Sequence, residues 1–315
     1  MTQDSDRLSL VADVGGTNTR VALAEGSRLL TDSLRRFRNA DHPSLEDVLS
    51  VYVADEAVDC AAAAVAVAGP VRDGEGQLTN LDWSIDTTML ARVTRAERLA
   101  VLNDLQAQAH ALGHIAPDKL RAVIPAGEGQ SGSTRLVVGV GTGFNAAVAL
   151  ETPGGRIVPP AECGHVTMPV RTAEALSLAE FVDDRHGFAS VEDVLSGRGL
   201  ENIYAWKAGR SLSTAEILSA VDDDPDATRS VEWFVRLMGA VAGDLALIYL
   251  PFGGLFLIGG MSRAMTPYFD RFGFAESFCD KGRFSDFLGQ FPVSVVEDDF
   301  AALSGLAAHL ADSRT

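Results

Sequence analysis

The chain reads as an α/β protein built from two similar halves, and three observations predict this. Strand-like apolar runs alternate with helix-period segments, the pattern of sheets covered by helices. One pattern occurs twice: apolar run, tight Gly/Thr turn, second apolar run, as LVADVGGTNTRVALAE at 10–25 and LVVGVGTGFNAAVALE at 136–151. The length of 315 residues, 47% of them hydrophobic, is enough for two cores. The repeat predicts duplication of one βββαβαβα-like unit with a cleft between the halves. A strand–turn–strand pattern alone describes any hairpin; the length of the parallel is what favours duplication.

The elements follow in order. Ser9–Asp13, Arg20–Ala24 and Leu29–Arg35 read as strands around the first Gly turn. Pro43, then Leu45, Val48 and Leu49 at helical spacing, predicts a helix ending near Asp55. The small-residue run Ala61–Ala68, closed by Gly69-Pro70, reads as a buried strand. A hairpin turn at Asp73–Gly76 leads to a short strand reaching Thr79. Leu99–Leu102 is a further strand and Asp104–Leu112 a helix. The exposed loop Gly127–Thr134 precedes the second repeat, whose strands are Arg135–Gly141 and Ala146–Leu150. Helices follow at Ala173–Arg185, Ser190–Leu195, Thr214–Ala220 and Pro225–Tyr249, then a strand Leu255–Ile258 running into Gly259-Gly260 and a helix start. Pro292–Val296 closes as a strand and Ala301–Leu310 as a helix.

Composition excludes several classes. The net charge of −17 disfavours nucleic acid and anionic membrane as partners, since both attract basic surfaces. Cys60, Cys163 and Cys279 are few, odd in number and without metal-site spacing, which fits reduced thiols in the cytoplasm. The N-terminus MTQDSDRLSL is polar and acidic, unlike a signal peptide. The apolar stretch Ala240–Ile258 is interrupted by Asp244, Pro251 and Gly253-Gly254, so it reads as a core helix running into a strand.

Gly/Thr turns present backbone N–H groups that make anion nests. Two of them could hold one polyphosphate, which points to a nucleotide-using enzyme. In the first, Asp13 precedes Gly15, Gly16, Thr17 and Asn18, and its carboxylate could hold Mg²⁺ through water. A hairpin with a turn-capping Asp is the competing reading. In the second, Gly139 replaces that Asp, and Gly141, Thr142 and Gly143 offer backbone donors and one hydroxyl. No G-x-x-x-x-G-K-[ST] is present, and the second turn lacks the last Gly of a dinucleotide fingerprint, which disfavours a P-loop protein and a dinucleotide-dependent oxidoreductase. Asn103-Asp104 ends a strand and opens a helix, so Asp104 reads as an N-cap or as a carboxylate directed into a cleft. Glu162-Cys163-Gly164-His165 is a polar loop between prolines, in no zinc-binding pattern. Glu192, after Ser190, reads as a first-turn acid favoured by the helix dipole. Gly259-Gly260 is a third place where a backbone can approach a ligand.

The stretches LVADVGGTNTRVAL, VAGPV, LTNLDW, LNDLQA, GVGTGFNAA, PAECGHV, EDVLSGRGLENIY, LFLIGG and DKGRF, in this order, resemble the bacterial glucokinases of the hexokinase/actin superfamily over essentially the full length. The resemblance implies a two-domain actin-like, ribonuclease H-like duplicated fold with a central cleft. The boundaries expected are a small domain at 1–111 plus 297–315 and a large one at 112–296. It implies transfer of the γ-phosphoryl group of ATP to the 6-hydroxyl of D-glucose, with Asp104 as the base. It implies sugar-binding roles for Asn103, Glu162, His165 and Glu192. Asp13 with Gly15, Gly16, Thr17 and Asn18 would bind phosphate and Mg²⁺, Gly141, Thr142 and Gly143 would form the second phosphate turn, and Gly259 and Gly260 would lie by the adenosine. A cytoplasmic homodimer without zinc is expected. Two positions depart from the family pattern, Asn145 and Cys163, where Gly is common; they bear on the second turn's approach to phosphate and on hexose preference. The alternatives are a kinase for fructose, mannose or an N-acetylated sugar, and a non-catalytic sugar-sensing regulator. Regulators of this superfamily usually carry an N-terminal helix-turn-helix, for which a first strand starting by Ser9 leaves no room.

Overall fold

Strand β1 (Leu8–Val14) alternates between two apolar faces: Leu10, Ala12 and Val14 join one buried cluster and Val11 the other. It is the middle strand of the first sheet in the computed structural model, which describes residues 8–78, 81–125 and 132–312. These divide into two units. The first takes the described residues up to Ala116, then Ala149–Pro160 and those from Asp298 onward; the second takes Pro117–Val148 and Ala161–Glu297.

In the first unit, β2 (Asn18–Glu25) and β3 (Arg28–Arg38) fold back antiparallel beside β1. Helix α1 (Leu45–Glu56) starts at Ser44, whose side chain accepts from the Asp47 N–H at 3.2 Å. There follow β4 (Ala62–Val67), the small strands β5 (Val71–Arg72), β6 (Glu75–Gln77) and β7 (Ser84–Asp86), α2 (Thr87–Thr94), β8 (Arg98–Asn103) and α3 (Asp104–Ala111). The end of the expected hairpin strand, Thr79, lies outside the described residues. The sheet order is β3-β2-β1-β4-β8, with β1, β4 and β8 parallel. Register sets Val14 beside Val67 and Val67 beside Asn103, so three chain segments leave this sheet at one edge: the Gly15 turn, the Gly69 turn and Asp104.

The second unit begins with β9 (Leu120–Ile124), β10 (Arg135–Val140) and the first part of β11 (Phe144–Thr152); the end of β11 and β12 (Gly155–Ile157), which pairs with it, are counted with the first unit. Helices α4 (Ala173–His186), α5 (Gly197–Ala208), α6 (Thr214–Ser219) and α7 (Pro225–Tyr249) follow, then β13 (Leu255–Ile258), α8 (Gly260–Met265), α9 (Phe269–Phe272), α10 (Phe274–Cys279), α11 (Ser285–Leu288) and β14 (Val293–Val296). The sheet order β12-β11-β10-β13-β14-β9 repeats the connectivity of the first sheet and adds β9 at its edge. The duplication expected from the two Gly turns is therefore present in the topology. Helix α7 has its expected bounds because Pro225 and the Asp224 cap begin it and an apolar face runs its length. The helix expected at Ser190–Leu195 is absent: 191–196 form turns and bends, and Ser190 bridges Thr167 instead.

The last helix, α12 (Ala301–Asp312), returns to the first unit and packs on α3. Ala62, Ala64 and Ala66 of β4 keep that face of the sheet shallow, and Gly305 lies so close to α3 that an added Cβ would stand 1.8 Å from the Ala107 carbonyl oxygen. In the same layer, the rings of His110 and His309 meet at 4.5 Å, and His110 Nδ1 is buried with no hydrogen-bond partner among the described residues. Burial, with His309 and Arg156 nearby, lowers the His110 pKa to about 3. A histidine depressed in the folded state contributes stability present above its unfolded pKa near 6.5 and lost as the pH falls toward 3. The denaturation midpoint should therefore drop on going from about pH 7 to about pH 5. His110→Leu should flatten that drop; an equal drop in both proteins would place the acid sensitivity elsewhere.

Candidate active site

The first unit gathers its candidate residues at the carboxyl edge of parallel strands, where α/β sheets hold ligands. Asp13 lies on β1 directly across from Arg20 on β2, and Arg20 Nη1 reaches its Oδ2 at 3.4 Å. Burial pushes the Asp13 carboxyl above its ordinary range, with the Arg20 charge and hydrogen bond acting in the opposite direction. The Gly15–Asn18 turn follows. Gly16 and Thr17 are exposed, while the Gly15 N–H turns inward and donates to the Asn18 carbonyl at 3.0 Å. Not every donor of the turn faces outward, as a simple nest would have it.

The turn is braced by a residue that the sequence did not single out. Asn39 is buried; its Nδ2 donates to the Gly15 carbonyl at 2.7 Å and its backbone N–H to the Thr17 carbonyl at 2.9 Å. Thr19 Oγ1 donates to Asn39 Oδ1 at 2.8 Å. By occupying carbonyls of the turn, Asn39 holds it in one shape. Its signal in the sequence is nil, because it follows a strand and stands 24 residues from Gly15.

At the neighbouring edge position, the N-cap of α3 is Asn103, and Asp104 is the first helical residue. The Leu105 N–H donates to Asn103 Oδ1 at 2.9 Å, Gln106 Oε1 accepts from the Asn103 N–H at 3.2 Å, and Asn103 Nδ2 donates to the Gly69 carbonyl at 3.0 Å. This corrects the reading of Asp104 as cap: Asn103 performs the capping. Among the described residues, one amide hydrogen and one acceptor lone pair of Asn103 remain beyond these bonds.

In the second unit, the Gly141–Gly143 turn lies between β10 and β11. The Gly141 N–H donates to the Gly143 carbonyl at 2.9 Å, and Gly197 at the start of α5 donates to the Gly141 carbonyl at 2.8 Å. A Cβ on Gly141 would stand 3.9 Å from the Gly260 nitrogen. Gly259 combines φ +95° with an approach in which a Cβ would be 2.4 Å from the Val140 carbonyl oxygen, so only glycine fits. The structure thus brings Gly141–Gly143 and Gly259-Gly260 together, with Gly197 as a third neighbour that the sequence left without a role.

Glu192 sits against the same turn. Its Oε2 accepts from the Phe144 N–H at 2.9 Å, and a Cβ on Gly143 would stand 2.6 Å from that oxygen. Its backbone N–H donates to the Gly164 carbonyl at 2.9 Å, and Arg198 Nη2 reaches Oε1 at 3.4 Å. The helix-dipole reading of Glu192 is overturned, since the residue belongs to a turn rather than a helix. Gly164 is buried so tightly that a Cβ would be 2.0 Å from the Phe144 carbonyl oxygen, and it begins no flexible loop. Cys163, Gly164 and His165 form a short 3₁₀ turn, with the His165 and Glu162 side chains exposed. Asn145 directs its side chain to this loop, and the Cys163 thiol points back at it, 3.5 Å from Oδ1. Burial pushes the Cys163 thiol up to about 11, which keeps it protonated and unreactive at neutral pH.

Among the described residues, no group of three or more His, Cys, Asp and Glu could hold a metal, and no helix is long and apolar enough to cross a membrane. A single carboxylate, Asp13, beside the Gly15–Asn18 turn fits Mg²⁺, which keeps several waters and takes one or two carboxylates.

Two copies of one sheet connectivity, each with a glycine turn at the carboxyl end of its first strand, define a two-domain actin-like sugar-kinase class. The family profile described as Glucokinase matches residues 10–313. A glucokinase of Stenotrophomonas maltophilia (strain K279a) is 35% identical over 319 residues, covering 96% of this chain and 95% of its own. A glucokinase of Erwinia tasmaniensis is 30% identical, covering 96% and 97%. The crystal structure of a glucokinase from an Antarctic psychrotroph superposes with a TM-score of 0.87 at 32% identity, covering 96% and 98%. The chain belongs to the glucokinase family, and it is an enzyme of that family.

Proposed function

We propose that this enzyme transfers the γ-phosphoryl group of ATP to the 6-hydroxyl of D-glucose, with Asp104 accepting the hydroxyl proton. Family membership over nearly the whole chain carries the reaction. The observation that supports the roles is the grouping of Asp13, the Gly15–Asn18 turn and Asn103-Asp104 at one sheet edge. A solved relative at 21% identity, a ROK family glucokinase from Streptomyces griseus, was crystallised with glucose and AMPPNP; its TM-score of 0.63 supports the shared fold.

The protein's task in such a transfer is positioning and charge stabilisation. Asn103 offers the sugar its free amide hydrogen and lone pair. Glu162, Glu192 and His165 supply further hydroxyl partners; a carboxylate has about four acceptor sites, so Glu192 retains capacity beside the Phe144 N–H. Gly15, Gly16, Thr17 and Asn18, held by Asn39, bind phosphate oxygens, as do Gly141, Thr142 and Gly143 in the second unit. Gly260, where an added Cβ would meet nothing within 4 Å, leaves open space for the adenosine beside the closely packed Gly259. Asp13 would hold Mg²⁺ through water; when bound, that ion would offset negative charge on the substrate phosphates. Family membership also supports a cytoplasmic homodimer, which the solution mass of the purified protein tests against 33.3 kDa for one chain.

A coupled ADP-release assay against a panel of hexoses tests the reading. Glucose should give the highest kcat/KM. Turnover of another hexose above glucose would reassign the substrate, and glucose binding without ADP release would make the protein a sensor. Glu192→Ala should raise the glucose KM by about tenfold to a hundredfold, the range for losing a hydrogen bond to a charged group. A lower melting temperature with KM unchanged would reduce Glu192 to a structural brace of the turn.

A further inference from the structure

We infer that Asn145 is a positioning residue for the sugar site, acting by setting the place of Glu162. This rests on the reading of Glu162 as a sugar anchor. Asn145 is the second residue of β11, immediately beyond the Gly141–Gly143 turn and Phe144. Its side chain is directed at the 161–163 loop, and both ends of its amide are in use. Nδ2 donates to the Ala161 carbonyl at 2.6 Å and, more weakly, to Glu162 Oε2 at 3.4 Å. Oδ1 accepts from the Ala146 N–H at 2.8 Å, the Cys163 N–H at 3.1 Å and the Cys163 thiol at 3.5 Å. The residues before and after Glu162 are therefore both tied to one side chain, and the Glu162 carboxylate is touched by the same amide.

Glu162 itself is exposed, and its backbone at φ −132°, ψ 52° belongs to no regular element. An exposed carboxylate on such a loop has many rotamers of similar energy, so its direction depends on what holds the loop. The neighbouring anchor is held differently: Glu192 takes its Phe144 N–H from the same strand one residue earlier. Phe144 and Asn145 thus each secure one carboxylate, Phe144 that of Glu192 through the main chain and Asn145 that of Glu162 through the side chain. A main-chain donor survives any substitution other than proline; a side-chain clamp is specific to asparagine, because only an amide of this length both donates to the Ala161 carbonyl and accepts from the Cys163 N–H.

The test compares Asn145→Ala, Asn145→Asp, Glu162→Gln and the Asn145→Ala/Glu162→Gln pair by kcat, KM for glucose and melting temperature. Asn145→Ala should raise the glucose KM by about tenfold with kcat within about threefold of the parent. The pair should be no worse in KM than Glu162→Gln alone, because the clamp acts through Glu162. Asn145→Asp keeps the acceptor oxygen and the shape but removes the donor and sets a new carboxylate beside Glu162. It should raise the glucose KM at least as far as Asn145→Ala, because an oxygen then faces the Ala161 carbonyl and the Glu162 carboxylate where the donor stood. This variant carries the test if Asn145→Ala does not fold. A raised KM in Glu162→Gln with a parental KM in the folded Asn145 variants overturns the inference alone, as does strict additivity in the pair. A parental KM in Glu162→Gln overturns the anchor reading and the inference with it.

Discussion

Asp104→Ala is expected to lower kcat by about two to four orders of magnitude, the range for removing a positioned general base. Glucose KM should change by only a few fold, because the other partners proposed for the sugar, Asn103, Glu162, His165 and Glu192, remain. The geometry makes this variant a clean one. Asp104 is the first residue of α3, and the capping of that helix belongs to Asn103, whose side chain accepts from the Leu105 N–H at 2.9 Å. Removing the Asp104 carboxylate therefore leaves the capping box in place; the stability loss includes the bond from the Leu105 N–H to Asp104 Oδ1 at 2.9 Å and the favourable acid at the positive helix end, the latter about 0.3–1 kcal/mol. Near-parental turnover in a steady-state assay would remove Asp104 from the proton transfer. A collapse of both melting temperature and activity would show instead that its role is structural.

Asp13→Asn is expected to separate function from stability in the opposite direction. Burial raises the Asp13 pKa, so the folded state holds that proton more tightly than the unfolded chain does. Such a group contributes stability that is present below its unfolded pKa and lost as the pH rises through its folded value. Above its unfolded pKa the buried carboxyl therefore opposes folding, and Arg20 at 3.4 Å partly offsets this. The isosteric amide removes that opposition. The melting temperature at pH 7 should rise in the variant, while the Mg²⁺ concentration needed for half-maximal rate should increase about tenfold or more, a factor of ten being 1.4 kcal/mol of lost interaction. A Mg²⁺ titration that overlays the parent's would take Asp13 out of the metal's surroundings. A lower melting temperature would mean that its bond to Arg20 outweighs its burial.

Much of the fold is legible in the residues because the deciding forces are local. The run Ala62–Val67 is a strand by its continuous apolar character, and Pro225–Tyr249 is a helix by its start signal and period. Helices α2 and α5 escape the same reading. TTMLARVT is rich in β-branched residues that weaken a helical signal, and α5 contains Gly197 and Gly199, poor helix formers. Tertiary packing overrides both: Gly199 lies so close to Val194 that a Cβ would meet its backbone at 2.5 Å, and the Ser196 side chain caps the helix at the Gly199 N–H. The stretch at 190–195 fails in the other direction. Ser-Val-Glu-Asp carries an N-cap signature, yet Ser190 pairs with Asp193 inside a turn and bridges Thr167.

By itself the sequence determined the duplicated α/β plan, the two glycine turns, the asymmetry of Asp13 against Gly139, and the family. Each of these is a property of neighbours along the chain: a period, a turn composition, or a run of residues in order. The tertiary structure alone decided that Asn39 braces the first turn, that Glu192 leans on the second, and that Asn145 holds the loop bearing Glu162. Those contacts join residues 24, 48 and 16–18 positions apart. No local propensity encodes them, because a hydrogen bond between distant residues exists only once the packed strands have brought donor and acceptor within about 3 Å of each other.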